Sequence, residues 1–267
     1  MSSRLSALQA RISNRLARDF LGTPLHLPAD RPMVSFTFDD VPQSAATVGA
    51  PLLEEHGGHG TFYVAGGLVN RWSDDWNDNA IDGPQIVALH RNGHEIGCHT
   101  FSHRVAAEFS AAAMDREIAT NRTCLQALDA SIRLDNFAYP YGLASVGHKA
   151  RLSAAFRSSR GILPGVNRGI TDRHFLRATP LISVEIDRAG IDRMFDTAIA
   201  TGGWLIFYTH DVAASPSSYG CTPDLMRHAL GAALARKMPI VSVAEALRRA
   251  GIAAGRDGIP SAPDLPI

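Results

Sequence analysis

Two adjacent carboxylates, Asp39-Asp40, and two histidines four residues apart, His99 and His103, are the side chains in this chain best suited to hold and use a metal ion. Two histidines and one carboxylate leave coordination positions open on a metal, which then polarises a carbonyl and acidifies bound water. Zinc suits these ligands; cobalt, nickel, iron and manganese fit them as well. On a helical turn, the spacing in His99-Thr100-Phe101-Ser102-His103 places both imidazoles on one face. An HxxxH pair alone is more often a surface coincidence. This one also lacks the glutamate that follows the first histidine in HExxH zinc proteases. It needs a third ligand from elsewhere, and Asp39-Asp40 can supply one. Neighbouring side chains of a strand point opposite ways, so one carboxylate can bind metal while the other faces an attacking water. Read alone, an Asp-Asp pair is a solvated loop or a helix cap.

The elements around these residues give them a common place. Met33 to Phe38 is a short apolar run and reads as a buried strand ending in Asp39-Asp40. Gly60 to Ala65 reads as a second strand. His94 to Gly97 leads into His99, and Asn136 to Ala138 leads into Tyr139-Pro140-Tyr141-Gly142. Further strands are expected near 157–162 and 181–186. Trp204 to Tyr208 delivers His210-Asp211, and a last strand is expected over 240–243. Helices are expected over 44–55, 84–91, 110–130, 145–156, 191–201, 223–237 and 244–250. The polar stretch 70–83, with Trp72 and Trp76, reads as a loop whose aromatics either stack on a ligand or anchor the loop itself. Alternation of strand and helix favours an α/β fold with a parallel sheet covered by helices. A barrel gathers the C-terminal ends of its strands at one mouth, where residues distant in sequence can meet.

The 267 residues are 45% hydrophobic, enough for a sizeable core, and carry 26 basic and 26 acidic side chains. That balance argues against a nucleic-acid partner. Cys98, Cys124 and Cys221 are scattered and form no CxxC pair, as expected of reduced thiols. Residues 1–20 lack the apolar core of a signal peptide, and no run is long enough to span a membrane, so a cytoplasmic protein is expected. Leu5, Leu8, Ile12 and Leu16 recur at helical spacing among four arginines. This reads as a helix packed on the body, or as a basic amphipathic helix touching a membrane surface or a partner. The expected organisation is an N-terminal helix and linker over 1–30, a catalytic domain over 31–250 and a loose tail over 251–267. Nothing in the sequence sets the oligomeric state.

Taken together, the motifs resemble the polysaccharide deacetylase family, carbohydrate esterase family four, also called the NodB-homology domain. The resemblance rests on Thr37-Phe38-Asp39-Asp40, on His99-Thr100-Phe101-Ser102-His103 preceded by Gly93 to Gly97, on Tyr139-Pro140-Tyr141-Gly142, and on Leu205 to His210. Each is unspecific; all four in this order, each after a strand, are not. The resemblance implies a single-domain, distorted (β/α)7-type barrel with one divalent metal, zinc first among the candidates. It implies that Asp40, His99 and His103 are the ligands and Asp39 the general base. The Tyr141 backbone N–H would help to stabilise the oxyanion, and His210 would be the general acid. The substrate would be an N-acylated sugar or glycan.

Three positions depart from the family pattern. Val41 stands where a glycine usually follows the two aspartates. Ala138 stands where an arginine usually steadies the base, and Arg160, Arg168 or Arg173 is a candidate to replace its charge. No Asp-Trp motif is evident, which leaves Glu185, Asp187 or Asp211 to orient His210. These changes leave the ligand set intact and point to a divergent subgroup. Competing readings are an amidase or deformylase on a non-carbohydrate or lipid-linked substrate, and a catalytically silent carbohydrate-binding module. A two-histidine, one-carboxylate iron oxygenase shares the ligand types but is usually built on a β-sandwich.

Overall fold

The computed structural model describes residues 12–19 and 22–253. Seven strands form one parallel sheet: β1 (Met33–Asp39), β2 (Thr61–Val64), β3 (Glu95–Cys98), β4 (Asn136–Ala138), β5 (Ser158–Arg160), β6 (Thr179–Pro180) and β7 (Trp204–Thr209). Their order is β6-β7-β1-β2-β3-β4-β5, which is chain order read round a ring and interrupted only between β5 and β6. There Leu176, just ahead of β6, makes a single parallel bridge to Arg160. The sheet therefore curls into the expected distorted (β/α)7-type barrel. Helices α1 (Ala50–Glu55), α2 (Gly83–Arg91), α3 (Ala111–Gln126), α4 (Val146–Ala155), α5 (Arg188–Thr201), α6 (Pro223–Ala235) and α7 (Val243–Arg249) lie between and after the strands. A π-helical turn, Ala45–Gly49, leads into α1.

The period-two alternation of β1 builds two cores. Val34, Phe36 and Phe38 join the larger cluster, together with Leu53 of α1, Phe195 of α5 and Leu230 of α6. The alternate residues Ser35, Thr37 and Asp39 face the barrel interior, where Met33 packs with Trp204, Ile206 and Tyr208. Two buried hydroxyls there find partners, as burial favours. Trp204 Nε1 donates to Ser35 Oγ at 2.9 Å and Thr37 Oγ1 donates to the Phe207 carbonyl at 2.8 Å. Asp39 thus enters the interior as the last member of a polar row.

Several expectations need correction. The expected strand over 181–186 is a turn, and the strand stands earlier, at Thr179–Pro180. The chain must turn there because the Asp187 side chain caps α5, accepting from Gly190 N at 2.7 Å. The strand expected over 240–243 is reduced to one bridge between Ile240 and Val34. The stretch 70–83 is not a plain loop: Trp72–Ser73 pairs with Asp78–Asn79 as an antiparallel hairpin. At the N-terminus, a helix over 12–19 packs on the body through the buried Ala17, while Ile12 and Leu16 of the expected apolar stripe stay 52% and 39% exposed. Leu5, Leu8 and the tail from 254 lie outside the described residues. Among the described residues no helix is long and apolar enough to cross a membrane.

Candidate metal and catalytic site

At the C-terminal ends of the strands a cleft of about 590 Å³ opens, and Asp39, Asp40, His99, His103, Tyr141 and His210 all line it. Ligand atoms of Asp40, His99 and His103 lie within 4.8 Å of one another. His103 Nε2 is 3.1 Å and His99 Nε2 3.7 Å from the same carboxylate oxygen, Asp40 Oδ1. That oxygen is buried and has no hydrogen-bond partner. The other nitrogen of His99, Nδ1, lies 2.9 Å from the Ala138 carbonyl, so it carries the proton and leaves the Nε2 lone pair facing Asp40. Burial lowers the pKa of His99 to about 4 and that of His103 to about 3, which keeps both rings neutral as ligands must be. Burial, with Asp39 beside it, raises Asp40 well above the usual carboxylate range. Two neutral imidazoles and a carboxylate oxygen short of a positive partner fit a divalent cation.

The backbone explains how these residues converge. HTFSH is not a helical turn. Thr100 (φ 61°) and His103 (φ 52°) are both left-handed, and the chain folds back on itself. Glu117 of α3 holds this loop: its Oε2 accepts from Phe101 N at 3.0 Å, Ser102 N at 2.8 Å and Ser102 Oγ at 3.0 Å. Asp40 (φ 56°), Val41 (φ 50°) and Tyr141 (φ 58°) are left-handed too, so five of the eight such non-glycine residues among those described belong to the site or adjoin it. Such conformations cost about 1–3 kcal/mol each and persist only where the surroundings hold them. Gly142 is required by space: a Cβ there would sit 2.1 Å from Ile162 Cγ1.

Arg160 takes the place left by Ala138. The two residues are register partners on β5 and β4, and from the strand beside Ala138 the guanidinium reaches Asp39. Fully buried, it donates Nη2–H to Asp39 Oδ1 and lies over the rings of Tyr63 and Tyr208, 5.0 and 5.5 Å from their centroids. Burial alone would raise the Asp39 carboxyl; the Arg160 charge overcomes this and holds it below the usual range.

His210 is not oriented by an acid. Its Nδ1 lies 3.2 Å from the Tyr219 carbonyl. Asp187 caps α5, Asp211 is engaged by Ser217 N at 2.8 Å and Ser217 Oγ at 2.5 Å, and Glu185 lines the cleft without a hydrogen bond to the ring. The Trp72–Asn79 hairpin covers one side of the cleft. It is tied to the β1 end by Ile81 N donating to the Val41 carbonyl at 2.8 Å and by Ser44 N donating to Asp78 Oδ2 at 3.2 Å. Trp76 stacks on His210 with ring centroids 6.4 Å apart. Trp72 is 57% exposed at the rim, and its Nε1 donates to Asp74 at 2.9 Å.

Residues 26–155 match the family described as polysaccharide deacetylase. That stretch, a little under half of the chain, resembles the polysaccharide deacetylases. The peptidoglycan deacetylase PdaC from Bacillus subtilis is similar at 15% identity and a TM-score of 0.57, over 84% of this chain and 94% of that one. A family 4 acetyl xylan esterase from Clostridium thermocellum, in complex with a cobalt ion, is similar at 20% identity and a TM-score of 0.55, over 83% and 93%. The Bc1960 peptidoglycan N-acetylglucosamine deacetylase is similar at 14% identity and a TM-score of 0.59, over 83% and 90%. At these identities the likeness is one of fold. Comparison with curated protein sequences gives no match. Within this deacetylase-type barrel, Glu117 and the Tyr219 carbonyl are the site groups that sequence reading missed.

Proposed function

We propose that this chain is a metal-dependent hydrolase that removes N-acetyl groups from an amino sugar or a polysaccharide precursor. One observation carries the reading. The Asp40, His99 and His103 ligand group lies in the same cleft as a carboxylate, Asp39, that a buried arginine keeps ionised. A silent binding module has no use for that combination. Zinc, when bound, would polarise the acyl carbonyl and acidify the attacking water. Arg160 engages Asp39 Oδ1, which leaves Oδ2 to accept the proton from that water. The N–H of Tyr141 would donate to the developing oxyanion, an interaction typically worth about 2.7–4 kcal/mol. His210, with Nδ1 fixed on a carbonyl, would deliver a proton from Nε2 to the leaving amine.

An amidase or deformylase acting on a non-carbohydrate or lipid-linked substrate would use the same residues. The aromatic side chains round the cleft, Trp72, Trp76, Tyr141 and Tyr219, favour a sugar face over a small amide. Release of acetate from N-acetylated hexosamines, measured with and without chelator, tests the proposal. Formylated sugars and small amides serve as competing substrates. Chelator-insensitive turnover, or preference for the small amides, would overturn it. His99→Ala and His103→Ala are expected to lose zinc, and full occupancy in metal analysis of either variant would remove the ligand assignment.

A further inference from the structure

Helix α4 starts next to the Tyr141 turn, and its own N-cap residue, Ser145, makes no side-chain capping bond. The first N–H groups of a helix need acceptors from elsewhere. Here the helix over 12–19 supplies one, and holds the chain just before α4 as well. Ser13 Oγ accepts from Val146 N at 3.0 Å, and Asn14 Oδ1 accepts from Ala144 N at 3.0 Å, just past Tyr141-Gly142-Leu143. One turn into α4, the buried Lys149 donates to the Ala17 carbonyl at 2.5 Å and pairs with Asp172. Asp172 Oδ1 accepts from His174 N at 3.0 Å, and the His174 carbonyl accepts from Tyr139 OH at 3.1 Å. The turn is therefore tied on both flanks to one network that includes the N-terminal helix.

The turn needs such support. Tyr141 is left-handed at φ 58° and 58% exposed as a residue, and its ring meets His103 on one side with centroids 4.7 Å apart. The helix contacts the body through Ser13, Asn14 and Ala17, whereas Ile12 and Leu16 face outward. Its contact is made by groups that present acceptors to the turn rather than by an apolar stripe. It also precedes the residues that match the family, 26–155.

We propose that the 12–19 helix is a positioning element for the Tyr141 turn, acting through Ser13 and Asn14 as positioning residues. The consequence for turnover rests on the deacetylase reading above; the positioning itself does not. Ser13→Ala and Asn14→Ala are compared with Ser110→Ala, which removes a cap of the same chemistry from α3, where Ser110 Oγ accepts from Ala113 N at 3.2 Å. Hydrogen exchange at amides 141–146 is expected to quicken about tenfold in the first two variants and not in Ser110→Ala. With N-acetylated sugar, kcat is expected to fall about tenfold, at unchanged KM and zinc affinity. Asn14→Asp keeps the acceptor and is expected to restore both readouts. Equal exchange in Asn14→Ala and Ser110→Ala, or an equal loss of kcat at equal loss of thermal stability, overturns the proposal. A parent chain inert toward every N-acyl probe, but showing the expected exchange pattern, sinks the deacetylase reading and leaves the positioning role standing.

Discussion

On the proposed deacetylase reading, Asp39→Asn is expected to lower turnover by about 10²–10⁴-fold while the metal stays bound. The substitution is nearly isosteric and removes only the charge and the basicity. Asp40, His99 and His103 keep their mutual distances, because Asp39 is not among the atoms that converge on the ligand position. Folding is expected to suffer moderately, since the buried Arg160 loses its ionised partner and keeps only a neutral amide oxygen to bond. Metal content by elemental analysis and initial rates on an N-acetylated hexosamine separate the two effects. Loss of the metal in the Asp39→Asn variant would make Asp39 a ligand. Parental rates in the same variant would take it out of the base role.

Arg160→Met is expected to be the more damaging change overall. It leaves a carboxylate buried without a partner, and breaking a buried pair from one side costs about 3–5 kcal/mol. Its pH signature has a definite sign. In the parent, the folded pKa of Asp39 is lowered, because the Arg160 charge outweighs burial. The contribution of Asp39 to stability is then fully present above its unfolded pKa of about 3.9, and is lost as pH falls through the folded value. Without Arg160, only the weaker influence of His99 and His210 opposes burial, and the folded pKa rises. The penalty then grows as pH rises from about 4 toward that raised value. The stability difference between parent and variant, measured by denaturant unfolding of chelator-treated protein, should therefore widen with rising pH across the acid range. In the metal-loaded enzyme, the acid limb of the rate profile should move to higher pH. A pH-independent stability difference together with an unmoved acid limb would show that Arg160 does not hold the charge state of the base.

What was legible in the sequence was what is written locally. Each candidate side chain follows an apolar run, so a strand end carrying a reactive group could be read from a few neighbouring residues, as for Phe38-Asp39-Asp40 or Thr209-His210. Repetition of that pattern pointed to a parallel sheet covered by helices, and the barrel came from the family resemblance. What was hidden is relational. Arg160 lies 121 residues from Asp39, and its place on β5 beside Ala138 is visible only in the sheet; Arg168 and Arg173 were equal candidates by composition. Glu117 looks like any exposed helix acid until the His99–His103 loop is seen folded onto it. The orienting group for His210 is a backbone carbonyl, which no residue type announces. The hairpin over 72–79 pairs two short polar segments, so it offers no alternation to detect.

The neighbouring positions of Ala138 and Arg160 have a consequence for how such chains are compared. A motif is usually written along the chain, and by that rule position 138 records a loss. Written across the ladder, Ala138 and Arg160 form one composite position that still holds one arginine. Evolution could cross from one arrangement to the other by an intermediate carrying both arginines or neither, and only the first keeps an arginine beside Asp39. The double substitution Ala138→Arg/Arg160→Ala should then recover turnover that Arg160→Ala alone loses, as measured by acetate release, and its failure would mean that the two strands are not interchangeable donors. Relatives with an arginine at the first position should be free to carry a small residue at the second, a covariation that a search along single columns would score as noise.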